Sequence, residues 1–294
     1  MLRGFENFNE SGLTEVLSDN LIYYLDYGFL EKGGYSNSET PSSSSKLINF
    51  NDPRQPEGKI WGSRRKNWVW EKNYGIDISG VWIDGDLTTS GYQISYRNGF
   101  VIFDEPISTS SNVEVNHSNK YIYVFDADQV GIFNADKDSF NVTDGNYING
   151  SRFSLPDKTI QLPAIGIEIL NSKVATPFEL GSLSQNIKTR GLCNILSTDP
   201  KVAQRTGDYL MYQKHKEFIA FDRDLAAISG YYPVNFDGTI NNRDGDFPFL
   251  SENFPYSKIF AKNVYISDLK LESLNKINSD LFHLTARIEL ECVF

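Results

Sequence analysis

The chain has 294 residues, a formal net charge of −10, 40% hydrophobic residues and 14% aromatic residues. This length and apolar content are enough for one large domain or two modest ones, while the acidic balance lacks the basic footprint of specific nucleic-acid recognition. The spacing of the two cysteines fits neither a zinc site nor a disulfide framework. The N-terminus has no apolar signal-peptide core, and no run approaches the roughly 18 apolar residues of a membrane span. We therefore expect folding in a cytoplasm, without a bound metal and without a membrane.

The first predicted element is an amphipathic helix over residues 11–32. Ser11 can serve as its N-cap, and Gly33-Gly34 supplies a stop. Its apolar stripe recurs at steps of three and four residues and consists of Leu13, Val16, Leu17, Leu21, Tyr24, Leu25 and Phe29. The serine-rich residues 36–45 that follow predict a flexible linker or an extended arm. The stripe could pack on the helix's own domain or against a neighbouring subunit, and both alternatives stay open at this point.

The four tryptophans are concentrated in residues 61–82. Trp68 and Trp70 would share one face of a strand, because side chains two residues apart point the same way. Three explanations are open: a local core, an anchor in a protein interface, where tryptophan is enriched, or a platform for sugar rings. The interface candidates are therefore Trp68 and Trp70 together with Leu13, Leu17, Leu21, Tyr24, Leu25 and Phe29 of the helix.

Turn chemistry predicts a β-meander between the tryptophans and residue 126. Asp84-Gly85 and Asn98-Gly99 are strong hairpin signals, since these residue types tolerate positive φ. Pro106 argues against continuing the strand at 101–103, and residues 120–125 predict one further strand. The Asp-, Asn- and Gly-rich residues 126–149 predict a long connection, with a domain boundary near 154–157.

The C-terminal half predicts mostly strands, near residues 164–170, 187–196, 218–221, 259–269 and 281–294. Asp199-Pro200 predicts the N-cap and first residue of a second helix that runs to about residue 214. The predicted fold class is mainly β (α+β), with β-rich meander or sandwich domains. The predicted domains are a helical arm and linker at 1–45, a β-rich domain at 46–155 and a β-rich α+β domain at 156–294.

No motif in the chain carries catalytic chemistry. The histidines lack metal-binding spacing, and there is no nucleophile elbow, phosphate loop or dinucleotide fingerprint. Residues 242–246 resemble part of an EF-hand loop, but Ile240 and Ser251 occupy the first and twelfth ligand positions, where acids are needed. We therefore expect no enzyme activity, no cofactor and no bound metal.

Several segments spread along the chain are distinctive when taken together. Examples are Asn67-Trp-Val-Trp-Glu71, Pro177-Phe-Glu-Leu-Gly181 and Tyr232-Pro-Val-Asn-Phe-Asp-Gly238. The full set is residues 19–34, 67–71, 96–107, 177–181, 232–238 and 289–291. In this combination they resemble a family of virion proteins from the head-to-tail neck of tailed bacteriophages.

The resemblance implies a structural protein without active-site residues. It implies a closed homo-oligomeric ring, of six- or twelve-fold symmetry, that is assembled in the host cytoplasm and located in the virion. The implied partners are other copies of the chain, neighbouring portal, adaptor or tail proteins, and genomic DNA that passes non-specifically through the bore. Alternatives are a tail terminator, a baseplate or capsid accessory protein, or, in another class, a carbohydrate-binding tail module.

Overall fold

The computed structural model describes residues 12–52, 55–127, 160–179, 184–235, 238–272, 274–278 and 280–294. The helices are α1 (Leu13–Glu31), α2 (Pro200–Met211), α3 (Arg223–Ile228) and α4 (Phe247–Asn253). The strands of the N-terminal half are β1 (Tyr35–Ser38), β2 (Ile48–Phe50), β3 (Ile60–Gly62), β4 (Val81–Ile83), β5 (Asp86–Thr88), β6 (Tyr92–Ser95), β7 (Phe100–Phe103), β8 (Val113–Val115), β9 (His117–Lys120) and β10 (Tyr123–Asp126). Those of the C-terminal half are β11 (Ala164–Pro177), β12 (Gln185–Ser197), β13 (Glu217–Ile219), β14 (Phe260–Leu271), β15 (Asn275–Asn278) and β16 (Leu281–Val293). The predicted mainly β class is confirmed.

The largest sheet has seven strands and curls into a half-barrel. Its order is β10-β11-β12-β16-β14-β13, and β15 adds to one end of β16. The β10–β11 pair is parallel and the other pairs are antiparallel. The long central strands β12 and β16 alternate buried and more exposed residues over much of their length, as expected for strands with one face on a core.

Three small sheets are built from the N-terminal half. β1 pairs with β9, β2-β3-β7-β6 form a second sheet, and β5-β4-β8 form a third. In the β4–β5 hairpin, Asp84 and Gly85 have φ of 53° and 97°, which confirms the predicted two-residue turn. The β6–β7 connection is longer, residues 96–99, and of its two signal residues only Gly99 has a positive φ, of 68°.

Two main clusters of buried residues hold the elements together. The larger lies between one face of the large sheet and the helices, and it includes Leu17, Leu21 and Leu25 of α1. The second surrounds Trp61, Trp68 and Trp70 between the small sheets. The predicted helices are confirmed as α1 and α2, while α3, α4 and β15 were not predicted because they are too short to show a period.

Two sequence predictions are wrong. Residues 120–125 do not form one strand: β9 ends at Lys120 and pairs with β1, whereas β10 begins at Tyr123 and pairs with β11, so the chain changes sheet between them. Residues 36–45 are not a flexible linker, since β1 extends to Ser38 and Ser45 is buried in a hydrogen-bonded turn with Ser42. Ser11, most of the connection at 126–149 and the boundary at 154–157 lie outside the described residues, and the division into three domains stays a prediction.

Candidate assembly surface

The apolar stripe of α1 is part of the protein's own core. Leu17 and Leu21 are 0% exposed, and Leu25 and Phe29 are also buried in the cluster beneath the large sheet. These side chains touch Ile- and Leu-rich strands of the same chain, so no surface remains for another subunit. The interface prediction for this stripe is therefore wrong, and the alternative in which the helix packs on its own domain is what the structure shows.

The other four interface candidates also face inward. Leu13 and Tyr24 are partly buried against the same core, and Tyr24 stacks on Phe218 with ring centroids 4.9 Å apart. Trp68 is 0% exposed and stacks on His117 at 4.3 Å, while Trp70 is buried nearby. The local-core explanation of the tryptophans is thus the one observed, because a sugar ring or a partner protein could not reach Trp68 or Trp70.

A buried ion cluster fixes α1 to the tryptophan cluster. The Lys120 ammonium lies 2.5 Å from an Asp26 carboxylate oxygen on α1 and 2.6 Å from one of Glu71. It also sits 5.4 Å from the Trp70 ring, close enough for a cation–π contact. A buried pair of this kind is costly to break, since the remaining charge has no water to solvate it.

The electrostatics of this cluster keep the lysine charged. Burial alone would lower the pKa of Lys120, but the carboxylates of Asp26 and Glu71 outweigh it, and the pKa is raised. Burial raises the pKa of Glu71, with Lys120 opposing the shift. Because Lys120 donates to both carboxylates and is 3% exposed, the cluster holds elements together and is not an open reactive site.

A second polar contact holds the middle of α1. The Asn20 side-chain amide donates to the Phe221 carbonyl at 2.9 Å and accepts from the Phe221 amide at 2.7 Å. At the same level of the helix, Asp19 pairs with Arg223 of α3 at 2.9 Å. Sequence analysis missed Asn20, Asp26 and Lys120, although polar residues beside an apolar stripe or within an apolar strand are the signal that could have marked them.

The acidic loop near the EF-hand-like segment has structural partners. Asp246 accepts from the Phe249 amide at 3.1 Å as the N-cap of α4, and Asp244 pairs with Lys72 at 3.0 Å. Within the described ranges there is no group of three metal-ligating side chains, and no helix there is long and apolar enough to cross a membrane.

On the face of the large sheet turned away from the helices, the part around residues 188–190 of β12 and 289–291 of β16 is open and charged, whereas the end near Ala164, Leu196 and Leu281 is buried in a third apolar cluster. Lys188 on β12 lies 2.5 Å from Glu291 on β16, and Arg190 lies 3.5 Å from Glu289 in the next row. The Lys188 side chain is nearly half exposed, so solvent screens these pairs and they contribute little to stability. This part of the face therefore remains a solvated surface that is available for association.

One outer edge of this sheet is the far half of β11. β10 covers β11 only from Ala164 to Ile167, and among the described strands none lies beside the outer side of residues 173–177. Every residue from Lys173 to Glu179 is exposed, including Val174 at 58% and Phe178 at 44%. An exposed edge with apolar side chains is a template for pairing with another chain.

The opposite edge is β13, which within the described residues pairs only with β14. Ile219 on this strand is 37% exposed, and Tyr265 beside it on β14 is 38% exposed. Paired residues of neighbouring strands lie on the same face of a sheet. A continuous row of pairs runs across this sheet on the open face: Glu217–Tyr265, Tyr265–Glu291, Glu291–Lys188 and Lys188–Val174. Ile219 lies two residues after Glu217 on β13 and therefore has its side chain on the same face. The sheet thus carries exposed apolar side chains at both ends.

No family model, curated protein or solved structure matches this chain. Among the described residues, the two open edges and the polar face favour binding through backbone hydrogen bonds and apolar contact.

Proposed function

We propose that this chain is a structural protein of a tailed-bacteriophage virion and forms one ring of the neck between head and tail. The observation that carries the proposal is the pair of open edges at opposite ends of the large sheet, each with exposed apolar side chains. A subunit with two different binding edges can contact one neighbour on each side, which is the requirement for a ring.

The net charge of −10 suits a protein that surrounds moving DNA. Binding to the DNA backbone depends on lysine and arginine that neutralise phosphates, and an acidic chain repels the duplex instead of holding it. The sequence resemblance supplies the virion context, and the partners that it implies are further copies of the chain and adjacent portal, adaptor or tail proteins. The carbohydrate-binding alternative loses its main support, because Trp61, Trp68 and Trp70 are buried.

Two measurements test the proposal. Native mass spectrometry and negative-stain imaging of the purified protein at rising concentration should show closed rings, with six- or twelve-fold symmetry. Gold-labelled antibody raised against the chain should mark phage particles at the head–tail junction. Labelling confined to the capsid surface or the baseplate would instead support an accessory or baseplate protein, and a single asymmetric copy per particle would contradict a ring.

A further inference from the structure

In its far half, residues 173–177, β11 directs hydrogen-bonding groups outward at odd-numbered residues, and no strand among the described residues pairs with them. The Phe178 amide donates to the Ser184 carbonyl of the neighbouring strand end at 3.0 Å, so even-numbered residues bond toward β12. In an antiparallel pair the direction of these groups alternates along the strand. The amide and carbonyl of Lys173 and Ala175 consequently point away from the sheet, and Pro177 presents a carbonyl without an amide.

The backbone of β13 shows the same alternation. The Lys216 carbonyl accepts from the Ile266 amide at 2.8 Å, and the Ala220 amide donates to the Lys262 carbonyl at 3.1 Å. The even-numbered residues therefore bond toward β14. The amide and carbonyl of Glu217 and Ile219 face outward, and both residues are exposed.

The two edges lie at the same level of the sheet. One row of paired residues crosses it from Val174 through Lys188, Glu291 and Tyr265 to Glu217. The row spans four antiparallel pairings, so β11 and β13 run in the same direction. A second copy, placed beside the first without any shift along the strands, would present its β13 to this β11 in parallel.

We infer that copies of this chain join edge to edge, with β13 of one copy added in parallel to residues 173–177 of β11 in the next. This rests on the proposed function and names the contact that builds its ring. With Glu217 opposite Val174, the outward groups match the parallel pattern, in which each residue bonds to the two that flank its partner. The Glu217 amide donates to the Lys173 carbonyl, the Ala175 amide donates to the Glu217 carbonyl, and the Ile219 amide donates to the Ala175 carbonyl.

The ends of the two strands and their side chains agree with this register. The next bond would need an amide at Pro177, which has none, and β13 ends at Ile219. On the open face, Val174 and Phe178 of one copy come beside Ile219 and Tyr265 of the next, which unites two exposed apolar patches. The two edges differ, so the contact is heterologous, and its repetition gives a ring when the rotation between successive copies closes.

Disulfide trapping tests the contact. Directly opposed residues in neighbouring strands have the Cα separation that a disulfide requires, so Val174→Cys and Glu217→Cys should cross-link between copies. The native Cys193 and Cys292 are buried and should not react. Under mild oxidation at the highest soluble concentration, the double variant should give a ladder with steps of 33.4 kDa on non-reducing gels.

Three controls make the outcome decisive. On the non-reducing gel, each single variant alone should run as a monomer. An equimolar mixture of the two single variants should give a dimer and no larger species, because each copy then has one reactive edge. A double variant with the second cysteine at the exposed Ile277, on β15, should give no ladder. Dimers of Val174→Cys alone would show two β11 edges pairing with each other and would overturn the inference.

Native mass spectrometry of the unmodified protein separates this inference from the proposed ring. Oligomers without cross-linking of the double variant would overturn the edge contact and leave the proposed ring in place. If the protein forms no oligomer and the double variant does not cross-link, both proposals fail.

Discussion

Replacing Leu21 by alanine tests whether α1 belongs to the folded core. Leu21 is 0% exposed and packs in the cluster under the large sheet. Truncation removes buried methyl groups and leaves a cavity, and for a fully buried leucine this costs about 3–5 kcal/mol. Since natural domains are stable by about 5–15 kcal/mol, the loss is a large fraction of the total.

Urea unfolding monitored by far-UV circular dichroism measures this cost. With a urea dependence of about 3 kcal/mol per molar, the midpoint should fall by about 1–1.7 M. Leu225→Ala on α3 is the matched control, because it is the same leucine-to-alanine change at a position that is 46% exposed. Its midpoint should stay within the error of the parent.

The opposite result would restore the helix as an assembly arm. If Leu21→Ala and Leu225→Ala unfold at the same urea concentration as the parent, α1 contributes no core packing and the described burial is incorrect. The same conclusion would follow if deletion of residues 1–45 left the unfolding free energy unchanged.

Three further predictions concern charge, pH and the sheet edge. Lys120→Met leaves the buried carboxylate of Glu71 and the partly buried carboxylate of Asp26 without their cation, and it should lower the unfolding free energy by about 3–5 kcal/mol, measured by the same urea titration. Burial lowers the pKa of His117 below its ordinary value, so the unfolded state binds more protons at this residue. The contribution of His117 to stability should be constant well above pH 6.5 and be lost as the pH drops from about 6.5 toward its folded-state pKa, so the unfolding free energy of His117→Phe should fall less over this range than that of the parent. Ala175→Pro removes an amide that points out of the sheet, so it should keep the unfolding midpoint and weaken assembly in native mass spectrometry. Thr176→Pro removes an amide directed at β12, so it should lower the unfolding midpoint. Equal midpoints for the two proline variants would contradict the assigned directions of these amides.

Local signals in the sequence predicted the two longer helices and the Asp84-Gly85 turn. The step of three and four residues in α1 and the Asp199-Pro200 start of α2 each depend on a few neighbouring residues, and both elements are observed. Asp199 accepts from the Lys201 amide at 2.8 Å, as an N-cap should. Such features need no knowledge of distant parts of the chain, which is why they can be predicted.

Long-range partners decided the parts that could not be predicted. The serine-rich residues after α1 have a linker composition, yet Ser38 pairs with His117, and residues 36–38 are held in a sheet. The stripe of α1 is equally consistent with docking in the same chain or on a neighbour, because an apolar face specifies burial but not the surface that covers it. Composition therefore predicted that α1 must be covered, and only the tertiary structure shows what covers it.

The same distinction locates the surface that remains for assembly. The helices occupy one face of the large sheet, and the apolar side chains of α1 are buried there, so association cannot use that stripe, and the surfaces that we propose for it are the two edges and the exposed part of the opposite face. Folding stability and assembly then depend on different residues, so one variant should affect one property without the other. Leu21→Ala should lower the folding stability, but a folded molecule keeps its sheet edges. Ala175→Pro should leave the folding stability unchanged, but one sheet edge loses a hydrogen-bond donor. A protein whose assembly surface was the helix could not show this separation, because the same leucines would control both stability and ring formation.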